Sequence, residues 1–440
     1  MSDPQFNRED LFTIEIKELE PTGQIEPQAW MTASGVQAIF TVLEDAGYEV
    51  RFVGGCVRNG IAKRPVADVD LATTAKPDTV MELLEAAGIK AIPTGLDHGT
   101  ITAVSEGANY EITTLREDVA TDGRHAEVMF TDDWIADAKR RDFTINTMSA
   151  TRTGEVYDPF DGIPDMAYGR INFVGNPAKR ISEDYLRILR YFRFYTSHGR
   201  PPVSREALAA CRMAASNLQN LSGERVRDEL LKILLTLNSP DTLIMMKGEH
   251  VLEQVLDEAT EFGDLRALIW LCTTAMNLDK ITMDPVRNLA ILLPSDSKPE
   301  VAENIASRWR LSNAERNRLS SLCEFPQPDP MSPKPDHLHR LHRVGAELYA
   351  DQCLITWARE SASIAKIPKD RRQGWMELME MITTWQEPAF PITGRDLQDK
   401  GIKQGPELGV LLNQIRDWWI DNDCTADRDA CLNKLKQLTP

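Results

Sequence analysis

Asp68 and Asp70 stand two apart in the run Val66-Ala67-Asp68-Val69-Asp70-Leu71. On a β-strand that spacing sends both side chains to one face, about 7 Å apart at the Cα atoms. Two carboxylates held so close repel unless a cation joins them, and a hard divalent ion takes carboxylate oxygens while keeping positions open for phosphate. Glu111, set between Tyr110 and Ile112, is a third acid on a strand that can lie alongside. Three acids on adjacent strands could hold one or two metals, activate an attacking hydroxyl and neutralise a leaving pyrophosphate. Upstream, Gly54-Gly55 ends another strand pattern, so its N–H groups can approach a ligand with no Cβ in the way, and Arg58 adds a fork of donors suited to phosphate. Read singly, the aspartates are a solvated strand end and the glycines an ordinary turn. Their combination points to a site for phosphate and metal together.

The elements that position these groups follow from periodicity. Val36, Ile39, Phe40, Val42 and Leu43 recur at helical spacing up to Gly47, after which Glu49 to Val53 reads as a strand. Val66 to Leu71 reads as a second strand, and Pro77 opens a helix closed by Gly88. Thr100 to Val104 and Asn109 to Leu115 are further strands joined by a turn. From about Arg180 onward apolar residues recur at helical spacing and strand signals vanish. Proline-rich breaks at Phe325 to His337 and at Glu387 to Asp396 interrupt that region. The expected fold class is an α+β N-terminal head, with a small mixed β-sheet and helices, followed by an all-α remainder.

A chain of 440 residues exceeds the roughly 250 to 300 at which single cores stop growing, so several domains are expected. No apolar run approaches the roughly 20 residues of a bilayer crossing, and the opening residues are too acidic for a targeting signal, so no membrane partner and a cytoplasmic location are expected. Seven cysteines without CxxC spacing suit packed, reduced thiols rather than disulfides or a zinc site. A net charge of −17 argues against a globally basic nucleic-acid binder and leaves local fields open. Basic clusters occur at Lys139 to Arg141, at Arg187, Arg190 and Arg193, at His337 to Arg343 and at Lys369 to Arg372.

In order along the chain, GGCVRN, DVDLAT, HGTITAV with YEITTLRED, RRDFTINTMS, DPFDG and EDYLRILRYFRF resemble the signature motifs of class II tRNA nucleotidyltransferases, the CCA-adding enzymes, and of their poly(A) polymerase relatives. The resemblance is strong from Gln37 to Leu235 and looser beyond. Residues 1–28 mix charge and proline with little periodicity and read as a loosely held N-terminal arm; beyond it the expected parts are a catalytic nucleotidyltransferase head (29–175), a helical neck that selects the nucleotide (176–240), a helical body (241–386) and a helical tail in contact with tRNA (387–440). By match, Asp68 and Asp70 would bind the catalytic metals, Mg²⁺ being the ion expected, and Glu111, from its strand position rather than the match, would assist them. Gly55 and Arg58 would contact the nucleotide; Arg141, Asp142 and Asn146 would read the ribose. Taken alone, Arg140 and Arg141 read equally well as a solvated basic turn.

Asp184, Arg187, Arg190 and Arg193 match the nucleotide-selecting segment. Asp184 and Arg187 are i and i+3, so on a continuous helix they would form an ion pair worth a few tenths of a kcal/mol. As a template the pair does more. Arg only donates and Asp only accepts, so together they complement a base edge with a ring-nitrogen acceptor beside an amino donor. Cytosine and adenine present that edge; uracil and guanine present a ring N–H beside a carbonyl and would leave buried groups mismatched. Arg190 and Arg193 continue the row toward phosphate or RNA, or pack their stems on the helix surface.

The implied partners are tRNA, CTP and ATP. Arg225, Arg227, the His337 to Arg343 tract and Lys369 to Arg372 are candidates for RNA contact, and each is equally a solvated helix face. Trp418 and Trp419 read as core aromatics before base-stacking platforms. The polar stretch 117–137, with Asp122-Gly123-Arg124, resembles the loop that serves the change from C to A addition. Asn59, Ala126 and Asp161 depart from the family's usual aspartate, proline and glycine, and none of them is a metal ligand. The activity implied is addition of CCA to the tRNA 3′ end. A poly(A) polymerase or A-adding enzyme, and a tRNA-binding protein without catalysis, are the alternatives. HGTITAV stands where bacterial poly(A) polymerases carry an arginine-rich block, and retention of both aspartates speaks for catalysis. No His-Asp pair in the C-terminal half suggests a phosphohydrolase.

Overall fold

Alternation of apolar and polar residues builds the first part of the chain around one sheet. The computed structural model describes residues 20–96, 99–121, 126–275, 281–364 and 366–438, the side chains of 118–128 excepted. Asp122-Gly123-Arg124 and most of the N-terminal arm lie outside the described residues. Two compact units divide the chain, residues 1–257 and 258–440.

In the first unit the strands are β1 (Gly23–Gln24), β2 (Val50–Val53), β3 (Asp70–Thr73), β4 (Lys90–Gly95), β5 (Thr100–Ser105), β6 (Ala108–Thr114), β7 (Arg116–Thr121), β8 (Ala126–Phe130), β9 (Ser149–Ala150) and β10 (Glu155–Tyr157). Eight form one sheet in the order β1-β10-β9-β2-β3-β6-β5-β4, while β7 and β8 pair separately. The sheet is mixed: β3 and β6 run parallel, β2 and β3 antiparallel. Helices α1 (Ala29–Thr32), α2 (Ser34–Asp45), α3 (Gly55–Ile61), α4 (Pro77–Ala86), α5 (Trp134–Lys139) and α6 (Gly162–Tyr168) complete the α/β part. Val36, Ile39, Phe40 and Leu43 of α2 and Val80 and Leu84 of α4 pack with Phe52, Leu71, Ile101 and Ile112 of the strands into one buried core. The apolar face of the sheet is therefore covered, and the opposite face of β3 and β6 is left to carry Asp70 and Glu111.

Three expectations need correction. The second strand begins at Asp70, not Val66, and Asp68 lies on the approach to it. The reason is pairing: Phe52 opposes Leu71, β2 turns away after Val53, and residues 66–69 have no ladder partner on that side. The stretch expected as a polar loop after Glu117 is a β7–β8 hairpin, with Arg116 opposite Phe130 and Glu117 opposite Met129. A two-stranded ribbon buries little, so its sequence shows little apolar alternation. Residues 20–28, expected in a loose arm, instead tie β1 to β10, and Ile25 is buried.

The unit continues as helices α7 (Pro177–Glu183), α8 (Leu186–His198), α9 (Arg205–Ala214), α10 (Gly223–Leu234) and α11 (Ser239–Gly248). Among its described residues the second unit has helices and no strands: α12 (Phe262–Trp270), α13 (Pro285–Leu292), α14 (Pro299–Trp309), α15 (Asn313–Cys323), α16 (Lys334–Val344), α17 (Ala346–Ser363), α18 (Lys369–Thr384), α19 (Gly394–Gln398), α20 (Pro406–Asp421) and α21 (Arg428–Leu438). Asp351, buried in α17, receives Arg287 Nη1 at 3.2 Å and Arg318 Nη2 at 2.6 Å. Trp419 is buried with its indole N–H donated to the Ala426 carbonyl, and Trp418 is half-buried. Among the described residues no helix is long and apolar enough to cross a membrane. All seven cysteines are free thiols.

Candidate active site

The acids meet at the head of β3. Asp70 and Glu111 are register partners across the parallel β3–β6 pair, and paired residues project to the same face of a sheet. Burial, then Glu111, then Asp68, push the Asp70 carboxyl up to about 6, against the pull of Arg141. Glu111 and Asp68 are both exposed. Among the described residues no three His, Cys, Asp or Glu side chains already converge into a metal cage. The donor set nevertheless suits a hard divalent ion: all-oxygen, anionic, and in mutual repulsion that a cation relieves. Such a platform leaves coordination positions for ligand oxygens.

Beside the acids lies the glycine turn. Gly54 has φ +68°, which favours glycine, and it opens α3. A Cβ there would come to 3.4 Å from Arg141 Nη1. Gly55 is the first residue of α3, and Arg58 follows one turn on. Burial and the neighbouring Arg193 pull the Arg58 guanidinium down to about 10. It donates through Nη1 to Asn146 Oδ1 at 2.6 Å and through Nε and Nη2 to Asn59 Oδ1 at 3.2 and 3.1 Å. Asn59, the departure from the family's usual aspartate, thus keeps an acceptor for Arg58, and its amide also donates to the Pro65 carbonyl.

The RRDFTIN segment is a hub, not a solvated turn. Asn146 donates to Asp142 Oδ1 at 2.9 Å, and Arg190 of α8 reaches Asp142 Oδ2 with Nε at 2.7 Å. Burial opposes ionisation of Asp142, yet Arg190 and the Asn146 amide outweigh it and hold the carboxyl below its usual range. Arg141 donates to Asp137 and, through Nη1, to the Asn146 carbonyl. The α/β part and α8 are therefore joined by one run of bonds, Arg58–Asn146–Asp142–Arg190.

The segment expected to select the base differs from its expected form. α7 ends at Glu183, Asp184 is extended with φ −154°, and α8 starts at Leu186, so Asp184 and Arg187 do not share a continuous helix. The cause is local: Asp184 Oδ1 accepts the Leu186 N–H at 3.1 Å, a side-chain bond that competes with helix. The Arg187 N–H donates to the Asp184 carbonyl at 3.0 Å, but the two side chains bind other partners. Asp184 Oδ2 accepts from Arg225 of α10 at 2.6 Å. Arg187 Nη1 donates to Glu183 at 2.5 Å and to the Arg180 carbonyl at 2.9 Å, and its Nη2 reaches the Arg140 carbonyl at 3.2 Å. Arg190 and Arg193 both face the buried Glu229 of α10.

The structure thus brings together Asp70 with Glu111, and Gly54, Arg58, Arg141, Asp142, Asn146 and Arg190. It places Asp184 in the break between α7 and α8 and Arg187 in the first turn of α8, where Arg187 reaches the Arg140 carbonyl. Sequence reading missed Glu183, Asp137 and Glu229 as partners. The first two stand three or four residues from the arginines they hold, so the helical neighbour rule finds them; Glu229 comes from a different helix and leaves no such trace. Arg225, read as an RNA contact, is engaged by Asp184. In the second unit, His337 is buried against Tyr349 and Arg340 binds Gln352, which gives much of that basic tract a packing role. Asp161, where the family often has glycine, sits at φ +57°.

Residues 50–172 match the family described as Poly A polymerase head domain, and residues 202–262 the one described as probable RNA and SrmB-binding site of polymerase A. The chain is 41% identical over 419 residues to a CCA-adding enzyme of Leuconostoc citreum, covering 94% of this chain and 97% of that one. It is 34% identical to the mitochondrial CCA tRNA nucleotidyltransferase 1 of Danio rerio, over 92% of this chain and 90% of the other. Its fold is similar to that of the Bacillus stearothermophilus CCA-adding enzyme in complex with CTP, with a TM-score of 0.68 at 24% identity over 88% of this chain and 93% of that one. With a head of this topology and relatives matching nearly end to end, the chain belongs to the class II tRNA nucleotidyltransferases, the family of the CCA-adding enzymes.

Proposed function

We propose that this protein adds CMP, CMP and AMP in turn to the 3′ end of tRNA, taking CTP and ATP and releasing pyrophosphate. The observation that carries the reading is the acid cluster at Asp70 and Glu111 set beside Arg141, which the hydrogen-bonded hub ties to the base-selecting segment. Asp68 and Asp70 would hold a divalent ion, Mg²⁺ in our reading, with Glu111 completing the cluster. When bound, that ion supplies neutralising charge for the triphosphate and lowers the pKa of the attacking hydroxyl. The tRNA 3′-hydroxyl attacks the α-phosphate, and pyrophosphate leaves on the opposite side.

The chain's own residues bind and orient. Gly55 leaves room at the turn, Arg58 and Arg141 bring positive charge to the triphosphate, and Asp142 with Asn146 fixes Arg58 while reading the ribose. Asp184 and Arg187 accept cytosine or adenine and reject uracil and guanine by mismatched donors and acceptors. Arg190 and Arg193 back that segment. Positioning and electrostatics supply the rate, as in other phosphoryl transfers. We further read the head as 29–175, the neck as 176–240, and the body and tail as 241–386 and 387–440. The cytoplasm is the compartment, consistent with seven reduced thiols.

The test is incubation with tRNA lacking its last three nucleotides, Mg²⁺ and labelled CTP and ATP, separately and together. Ordered CCA supports the proposal, long A tails would make the protein a poly(A) polymerase, and no incorporation would leave an RNA-binding protein. Asp70→Ala is expected to abolish incorporation while tRNA binding persists.

A further inference from the structure

Asp137, in the last turn of α5, has no role assigned above, yet it touches Arg141, its neighbour Arg140 and the first residue of β7. Its side chain is 4% exposed. Oδ1 accepts from Arg140 Nε at 2.8 Å, and Oδ2 accepts from Arg141 Nη2 at 3.0 Å and Nε at 3.3 Å. Oδ1 also receives the backbone N–H of Arg116, the first residue of β7, at 3.4 Å. Burial pushes this carboxyl up, but Arg141 and then Arg140 outweigh it and hold it below its usual range.

What those two arginines do next gives the contact its meaning. Arg141 runs on to the Asn146 carbonyl at 3.3 Å, and its Nη1 stands 3.4 Å from the place a Cβ of Gly54 would occupy, so its position sets the wall of the phosphate turn. Arg140 offers its carbonyl to Arg187 Nη2 at 3.2 Å. One buried carboxylate therefore fixes both the residue that lines the turn and the backbone that orients the base-reading arginine. The β7–β8 hairpin is rooted on the same oxygen.

We propose that Asp137 is a positioning residue that ties the triphosphate end of the site to its base-reading end. The inference rests on the assignment of Arg187 to base selection. It predicts a signature that neither end gives alone: loss of Asp137 weakens binding of every nucleotide and also relaxes discrimination against UTP. Arg141→Ala should do only the first and Arg187→Ala only the second. A buried acid acting merely in packing would lower stability and leave both nucleotide parameters in place.

The experiment measures KM and kcat for CTP and ATP, and the ratio of CTP to UTP incorporation, on tRNA lacking its CCA end. Asp137→Asn keeps volume and one acceptor but loses the charge. It is expected to raise KM for both nucleotides about tenfold, lower the CTP/UTP ratio about tenfold, and leave KM for tRNA unchanged. Asp137→Asn combined with Arg141→Ala should show no further rise in KM over Arg141→Ala, because the acid acts through that arginine. If Asp137→Asn does not fold, Asp137→Glu, which keeps the charge on a longer arm, carries the same two readouts. A lowered Tm with unchanged KM and unchanged ratio overturns the proposal. If Arg187→Ala itself leaves the ratio unchanged, the base-reading assignment has failed instead, and with it this inference.

Discussion

Asp70 sits in a charge repulsion that a bound cation would relieve. The carboxyl titrates at about 6 in the folded chain because burial and two neighbouring acids disfavour its charge, whereas an unperturbed aspartate ionises at about 3.9. Between roughly pH 4 and pH 6 the folded state keeps a proton that the unfolded state has released, so stability without metal falls as pH rises through that window and stays lower above it. Asp70→Asn removes the charge. A tenfold change in proton affinity corresponds to about 1.4 kcal/mol, and partial exposure of the carboxyl reduces what reaches stability. The variant is therefore expected to gain on the order of 1–2 kcal/mol at pH 8 in EDTA, measured by urea unfolding. Mg²⁺ should raise the Tm of the wild type and not that of the variant. A variant no more stable than wild type at pH 8, or one that keeps the full Mg²⁺ response, would contradict this account of the cluster.

At the scale of elements, α8 and α10 are held together by charge inside the first unit. Glu229, 5% exposed, faces Arg190 at 3.6 Å and also binds Arg193. Breaking such a group by removing one partner leaves buried charge uncompensated. Glu229→Gln is therefore expected to cost roughly 2–4 kcal/mol in urea unfolding followed by circular dichroism. Lys298→Ala, whose partner Glu324 in the second unit is exposed, should change stability by less than about 1 kcal/mol. Equal effects of the two would refute the distinction. The comparison also shows where the sequence is readable. The core helices and β5 and β6 follow from apolar period, and Gly54 and Asp70 from local chemistry. β7 and β8 do not, because they pair only with each other, and a separate two-stranded ribbon imposes no apolar alternation. The break at Asp184 does not either: the apolar period runs through it, and only the carboxylate's bond to Leu186 N reveals it. Short strands such as β9 and β10 gain their register from the neighbours β2 and β1, which no window of a few residues contains.

For the whole molecule the question is how a chain with a net charge of −17 takes hold of a polyanion. Binding must use positive groups left free by the fold, since an arginine already neutralised by a carboxylate releases few counterions from RNA. In the second unit the two kinds can be told apart within one cluster. Arg371 is bound to Glu360 and, at 2.7 Å, to Asp329, whereas Lys369 and Arg372 on the same helix are exposed. Arg371→Ala should lower stability and leave the salt dependence of tRNA binding as it is. Lys369→Ala combined with Arg372→Ala should leave stability unchanged, weaken tRNA binding at about 0.1 M salt, and reduce the slope of log K against log salt by about one to two. Filter binding over a salt series checks both. If the double variant keeps the wild-type slope, Lys369 and Arg372 are a solvated face and the RNA runs elsewhere. If Arg371→Ala changes the slope instead, its ion pairs open to receive phosphate, and carboxylate pairing is then no guide to which arginines meet RNA.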